Sequence, residues 1–444
     1  MRRCFRLLTP TLMDLIHRLD SFEKEVIELK AFRQAVETAS PDVAAAAEVL
    51  AKQRRGAARQ IDVVVENPLT AEEFVELNQF YALQMTQNLP LRNMVHIRSF
   101  EDLCAHAKVI HREYLVRVAQ RARALTHAPV GLSQMPSIQE LRRWYEWSFH
   151  DVKSTKPPVD LESALNFDSF IRRVFLRHYN VSSLLSEGMH ELGERERWTE
   201  CSFSDKKLLA AIEELQDFFD EFCMGRVRLR FIVGNYMYLS TRILQLEPKD
   251  SEKLTVPLFF DHNPDAFVGQ ICRECSLVKV LKCAIRSASD MYEDSGIELR
   301  VAGDPNLTFT GIPYMLYDIV SAMIDDAVQA NLVRQEKFGT PCAPVHVTLS
   351  QREGNEEFSV RVSDTAGGMP LEEVKHVLRY WSSYKAAESV LKEADTWTHS
   401  PIRMAYAYCA AKAIDGDISV VSIDGYGTDR ILHIPSTGIE GIHI

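Results

Sequence analysis

The chain has 444 residues, 46% of them hydrophobic and 25% charged, which is enough for two or three domains with real cores. The net charge of -11, with 62 acidic against 51 basic residues, argues against a general nucleic-acid binder, because phosphate contacts need clustered Lys and Arg. No run of about 18 apolar residues exists, so no membrane span is expected.

The chain begins Met1-Arg2-Arg3-Cys4-Phe5-Arg6-Leu7-Leu8, with three arginines before its first acid, Asp14. That pattern fits a short mitochondrial presequence over residues 1–20, and equally a plain amphipathic first helix. Residues 21–250 read as a helical bundle. Apolar residues recur at helical spacing, as in Leu208, Leu209, Ile212, Leu215, Phe218, Phe219 and Phe222. Short breaks at Asn88-Leu89-Pro90, Ala128-Pro129, Met135-Pro136 and Lys156-Pro157-Pro158 separate the helices. Ser137, three residues before Glu140, is expected to cap one of them. Long helices joined by short loops make an antiparallel bundle.

The texture changes after Pro248-Lys249-Asp250-Ser251. Alternation predicts strands at Val345–Leu349, Phe358–Val362, Ile418–Val421 and near Ile431–Ile434, with helices over Met315–Asn331 and Ile402–Ile414. Residues 251–444 are therefore expected to form an α/β layer, a mixed sheet covered by helices on one face. The nine cysteines are scattered. The one close pair, Cys272-x-x-Cys275, lacks the second pair that a zinc site needs and reads as two free thiols on a helix start.

Four segments of the back half, in order, resemble the motifs of the GHKL ATPases. Pro313–Ala330 looks like the N box. Val362-Ser363-Asp364-Thr365-Ala366-Gly367-Gly368-Met369-Pro370 resembles the first glycine box. Tyr380-Trp381-Ser382-Ser383-Tyr384 is similar to the aromatic-serine segment, and Gly425-Tyr426-Gly427-Thr428-Asp429 to the end of the nucleotide region. In the front half Leu89-Pro90-Leu91-Arg92, Ser137 with Trp144-Tyr145, Arg177-His178-Tyr179-Asn180-Val181 and Phe222–Arg230 resemble segments of the mitochondrial 2-oxo acid dehydrogenase kinases. That family includes the pyruvate dehydrogenase kinases and the branched-chain 2-oxo acid dehydrogenase kinase. The resemblance implies an N-terminal helical bundle followed by a GHKL-type α/β sandwich. It also implies a matrix location, ATP and Mg as cofactors, docking to a lipoyl-bearing 2-oxo acid dehydrogenase complex, and a homodimer.

The same resemblance assigns site residues. Asp364, supported by Thr428, matches the carboxylate that receives the adenine amino group. Gly367 and Gly368 match the glycine box, in which Ala366 takes the place of the first glycine. Asp326 stands where the family has the Asn that holds magnesium, and a carboxylate still suits a hard cation. The family's catalytic Glu position is Ala322, whose methyl can neither orient nor deprotonate a hydroxyl. Asp318 lies one further turn back, about 6 Å along the helix axis, and is not expected to substitute. The phosphate-covering glycines are replaced by His399, Pro401 and Arg403, leaving Arg403 to offer a charge in place of a nest of amides. Phosphoryl transfer is mostly positioning and charge neutralisation. Two readings follow. One is a catalytically impaired or inactive member acting as scaffold or regulatory subunit, with ATP and Mg bound weakly or not at all. The other is an active protein-serine kinase that uses Mg-ATP.

Overall fold

The computed structural model describes residues 71–198, 206–246, 266–292, 297–302, 306, 308–339, 341, 343–351, 357–374, 377–380, 402–435 and 442. The presequence segment, the 248–251 junction, Trp381–Tyr384 and Thr398–Pro401 lie outside them.

The front half is helical: α1 (Ala71–Ala82), α2 (Phe100–Thr126), α3 (Pro136–Ser154), α4 (Leu161–Arg177), α5 (Val181–Arg195) and α6 (Lys206–Ile243). Local chemistry sets several starts. Ser99 and Asp102 form a capping box on α2, and Asp160 with Ser163 forms one on α4. α3 departs from expectation, because its cap position is Met135 and Ser137 falls inside the first turn. Pro136 fits the first helical position, where no N–H is needed. The Ser137 N–H and hydroxyl both donate to Glu191 of α5, at 3.1 and 2.9 Å, so a neighbouring helix satisfies this end.

α2 buries Leu103, Ala107, Ile110, Tyr114, Val118, Ala122 and Leu125 at helical spacing, and from Glu113 to Ala119 it is buried on every side. α6, 38 residues long, runs through the bundle and also packs against the back half; Leu209 alone of its predicted apolar series is exposed. A buried polar strut ties α4 to α6. Arg172 donates to Asp168 at 2.7 and 3.1 Å and to the Met237 carbonyl at 3.1 Å, while the Ser240 hydroxyl donates to Asp168. Among the described residues no helix is long and apolar enough to cross a membrane.

The back half holds β1 (Phe267–Val268), β2 (Ile271–Ser276), α7 (Leu277–Met291), β3 (Ile297–Ala302), β4 (Thr308–Gly311), α8 (Pro313–Phe338), β5 (Val345–Gln351), β6 (Glu357–Ser363), α9 (Arg403–Ala413), β7 (Asp417–Ile423) and β8 (Gly427–Pro435). The larger sheet has the order β3-β5-β6-β8-β7; β3 pairs parallel with β5 and the other pairs are antiparallel. β1, β2 and β4 form a small antiparallel sheet. Helices α7, α8 and α9 pack on the larger sheet. Its buried face is built by alternation: Val345, Val347 and Leu349 on β5, Phe358, Val360 and Val362 on β6, Leu432 and Ile434 on β8. A helical front and an α/β back are the architecture the sequence predicts. Tyr380 adds a brace between the halves, stacking on Phe219 of α6 at 5.0 Å and meeting the Cys409 sulfur of α9 at 3.2 Å.

Candidate functional site

The site lies where α8 crosses the ends of β6 and β8. α8 starts on Pro313 and stops at Gly339, whose φ of 63° lets its N–H return to the Gln335 carbonyl. Its apolar stripe holds it down, and the four-residue spacing aligns Asp318, Ala322 and Asp326 along one side.

Asp364 follows the last residue of β6. Its N–H donates to the Thr428 carbonyl at 3.0 Å and its carbonyl accepts from the Thr428 N–H at 3.3 Å, so the β6–β8 ladder fixes the two residues together. The chain then turns sharply. Gly368 has φ 65°, and a Cβ there would lie 2.0 Å from the Ile423 carbonyl oxygen. A Cβ on Gly427 would lie 2.1 Å from the Asp364 carbonyl oxygen, so this crossing also requires glycine. Ala366 is not among the positive-φ residues, so its backbone does not require glycine, and its N–H donates to Asp364 Oδ1 at 2.8 Å. The Thr428 hydroxyl pairs with the Ser422 hydroxyl at 2.8 Å, and Ser422 accepts from the Met369 N–H.

The residue that joins these parts is Arg430. It sits on β8 in the buried row Thr428, Arg430, Leu432, Ile434, opposite Val362 of β6 and Val420 of β7. Its Nη1 donates to Asp364 Oδ2 at 2.6 Å and its Nε to Asp326 Oδ2 at 2.5 Å. Side-chain exposures are 1% for Arg430, 1% for Asp364 and 37% for Asp326. Burial works against this charge, but the two carboxylates more than offset it and hold the guanidinium pKa above its ordinary value.

A second charged group forms on the same helix. Arg403, at the start of α9, pairs with Asp325 at 2.9 Å. Asp325 also accepts from the Tyr292 hydroxyl, to which Gln329 donates at 3.0 Å. Beside it a cavity of about 190 Å³ opens between α6, α8 and α9, lined by Arg226, Arg230, Tyr314, Asp318, Ala322 and Arg403. Burial pushes the Asp318 carboxyl up to about 6, while Arg403, the Tyr314 hydroxyl and Arg230 hold it down. Ala322 is 3% exposed.

Of the sequence-predicted residues, Asp326, Asp364 and Thr428 meet at Arg430, while Gly367 and Gly368 form the turn that runs on from Asp364 against Tyr426 and Ile423. Arg403 stands apart from them, on Asp325. Arg430 is the residue that sequence reasoning missed. Its signal was available: it occupies the inward position two residues before Leu432 in an alternating strand. Among the described residues no group of three or more His, Cys, Asp or Glu is placed to hold a metal ion.

A family profile described as mitochondrial branched-chain alpha-ketoacid dehydrogenase kinase matches residues 88–272. A mitochondrial pyruvate dehydrogenase (acetyl-transferring) kinase of Arabidopsis thaliana is 27% identical over 362 residues, covering 76% of this chain and 86% of that protein. Isozyme 1 of the same kinase from Homo sapiens is 24% identical over 409 residues, covering 87% and 82%. The chain belongs to the mitochondrial 2-oxo acid dehydrogenase kinase family. Its kinship with this mitochondrial family runs through both halves, since the alignment with isozyme 1 takes in most of each.

Asp318 gives a prediction here. A carboxyl whose folded-state pKa is raised binds its proton more tightly in the folded state, so its contribution to stability falls as pH rises from about 4 to 6. Asp318→Asn removes that dependence. Relative to wild type it should be neutral near pH 4 and stabilising by about 1–2 kcal/mol at pH 8, the cavity's access to water limiting the gain. Urea unfolding at the two pH values reads the difference, and equal effects at both would contradict the assignment.

Proposed function

We propose that this chain is a catalytically impaired or inactive member of the family, a GHKL-type pseudokinase serving as scaffold or regulatory subunit. The observation that carries the reading is Ala322. It occupies the family's catalytic Glu position, buried on α8 and lining the cavity, where only a methyl is presented. Transfer to a serine hydroxyl needs a group that orients the hydroxyl and a charge set that neutralises phosphate. Asp318 and Asp326 each lie one turn from Ala322 on the same side of α8, and neither occupies its position. Asp326 and Asp364 are already paired with a cation from their own chain.

The same reading makes ATP and Mg weak or absent ligands. The relatives are kinases of pyruvate dehydrogenase by name. We therefore place the chain in the mitochondrial matrix, bound to a lipoyl-bearing 2-oxo acid dehydrogenase complex or a related assembly. We infer that it homodimerises through the sheets of its back half.

The test is transfer of labelled phosphate from Mg-ATP to the dehydrogenase component of that complex. Wild type and the paired variant Ala322→Glu with Asp326→Asn are both expected to give no incorporation above blank. Transfer by the wild type would overturn the reading. A clear gain in the paired variant would show that the rest of the site is competent.

A further inference from the structure

We propose that Arg430 is an internal cation that fills the nucleotide site, taking the adenine amino group's place on Asp364 and the metal's place on Asp326. This rests on reading these residues as the family's nucleotide site.

Three observations carry it. The first is the bonding: one guanidinium spans both carboxylates, at 2.6 and 2.5 Å, and Asp364 Oδ1 is taken by the Ala366 N–H. An adenine amino group would have to displace a charged donor, whose hydrogen bond is stronger than its own. The second is burial. An anchor that receives a ring must face an opening, but the Asp364 and Arg430 side chains are each 1% exposed, closed over by the chain itself. The third is placement. Arg430 stands in the inward row of β8, flanked by Val362 and Val420 on the adjoining strands and followed inward by Leu432, so its guanidinium is delivered to the site by strand register. A divalent cation at Asp326 would meet this fixed positive charge at its first oxygen. The donor set therefore does not fit magnesium.

Adenosine is the probe. It carries no phosphate, so it needs neither a metal nor a phosphate cover. Wild type should show no saturable binding at millimolar adenosine by calorimetry. Arg430→Ala with Asp326→Asn, which removes the plug and one of the two carboxylates it neutralised, should gain at least about tenfold in affinity. If that pair does not melt cooperatively, Arg430→Met with Asp326→Asn keeps the volume in the apolar row and serves in its place. Saturable adenosine binding by the wild type overturns the proposal, and so does a folded plug-less variant that binds none. Both readouts concern binding alone. A wild type that binds adenosine yet transfers no phosphate would remove the plug and leave the impaired-kinase reading standing.

Discussion

Arg430→Ala is expected to lower the unfolding free energy by about 3–5 kcal/mol, the cost of breaking a buried ion pair by removing one partner. The loss comes mainly from Asp364, which is closed to solvent and would keep its negative charge with only the Ala366 N–H against it. Asp326 is 37% exposed, so water screens it and its share is small. Two companions sharpen the test. Arg430→Lys should cost less than Arg430→Ala but still be destabilising, because an ammonium keeps the charge yet lacks the fixed guanidinium fork that meets both carboxylates. Adding Asp326→Asn to Arg430→Ala should recover part of the loss by removing one of two like charges. Urea denaturation of the set gives the values. A loss under about 1 kcal/mol for Arg430→Ala would mean that the pair is solvated and the site open.

Asp168→Ala should cost a similar 3–5 kcal/mol, this time in the helical half. Asp168 is 3% exposed and receives Arg172 through two nitrogens and Ser240 through its hydroxyl. Without it the Arg172 guanidinium keeps only the Met237 carbonyl and the Thr241 hydroxyl, and its Nη1 is already without a partner. The strut is one of the links between α4 and α6, beside the contacts of Phe167 with Tyr236 and Phe175 with Arg230, so its loss is expected to loosen the wall of the bundle on which the back half packs. Replacing both residues, Asp168→Leu with Arg172→Leu, should return much of the stability, since apolar pairs replace buried ion pairs at little cost. Failure of the double variant to exceed the single one would place the loss in packing and not in the orphaned charge.

These two residues mark what a single chain of letters conceals. The four later strands were legible because their apolar residues alternate, and α8 and α9 because theirs recur at helical spacing. β1 has two residues, too few for a pattern. β2 carries an irregularity between Cys272 and Cys275, which places both cysteines in the interior and erases its alternation. β3 differs: Ile297-Glu298-Leu299-Arg300-Val301 alternates as regularly as β5 and is readable by the same rule. At the helix start of α3, Ser137 reads as a cap because the partner that satisfies it, Glu191, lies 54 positions away.

The candidate site divides in the same manner. Motif order places Asp326, Asp364, Gly368 and Thr428 near one another, and they are. What motif order cannot give is which charge meets which. Arg403 meets Asp325, and Arg430 reaches Asp326 across 104 positions and Asp364 across 66. An arginine in the inward row of a strand is itself a flag, because an unpaired buried guanidinium is costly and its partners must therefore be close.

Titration of the wild-type protein with ATP, with and without magnesium, tests the central claim most directly. The account predicts no saturable heat at millimolar nucleotide in either condition, because the chain's own guanidinium holds both carboxylates. Tight binding that depends on magnesium would contradict it, and would mean that Arg430 yields Asp326 to the metal and that the nucleotide site is open.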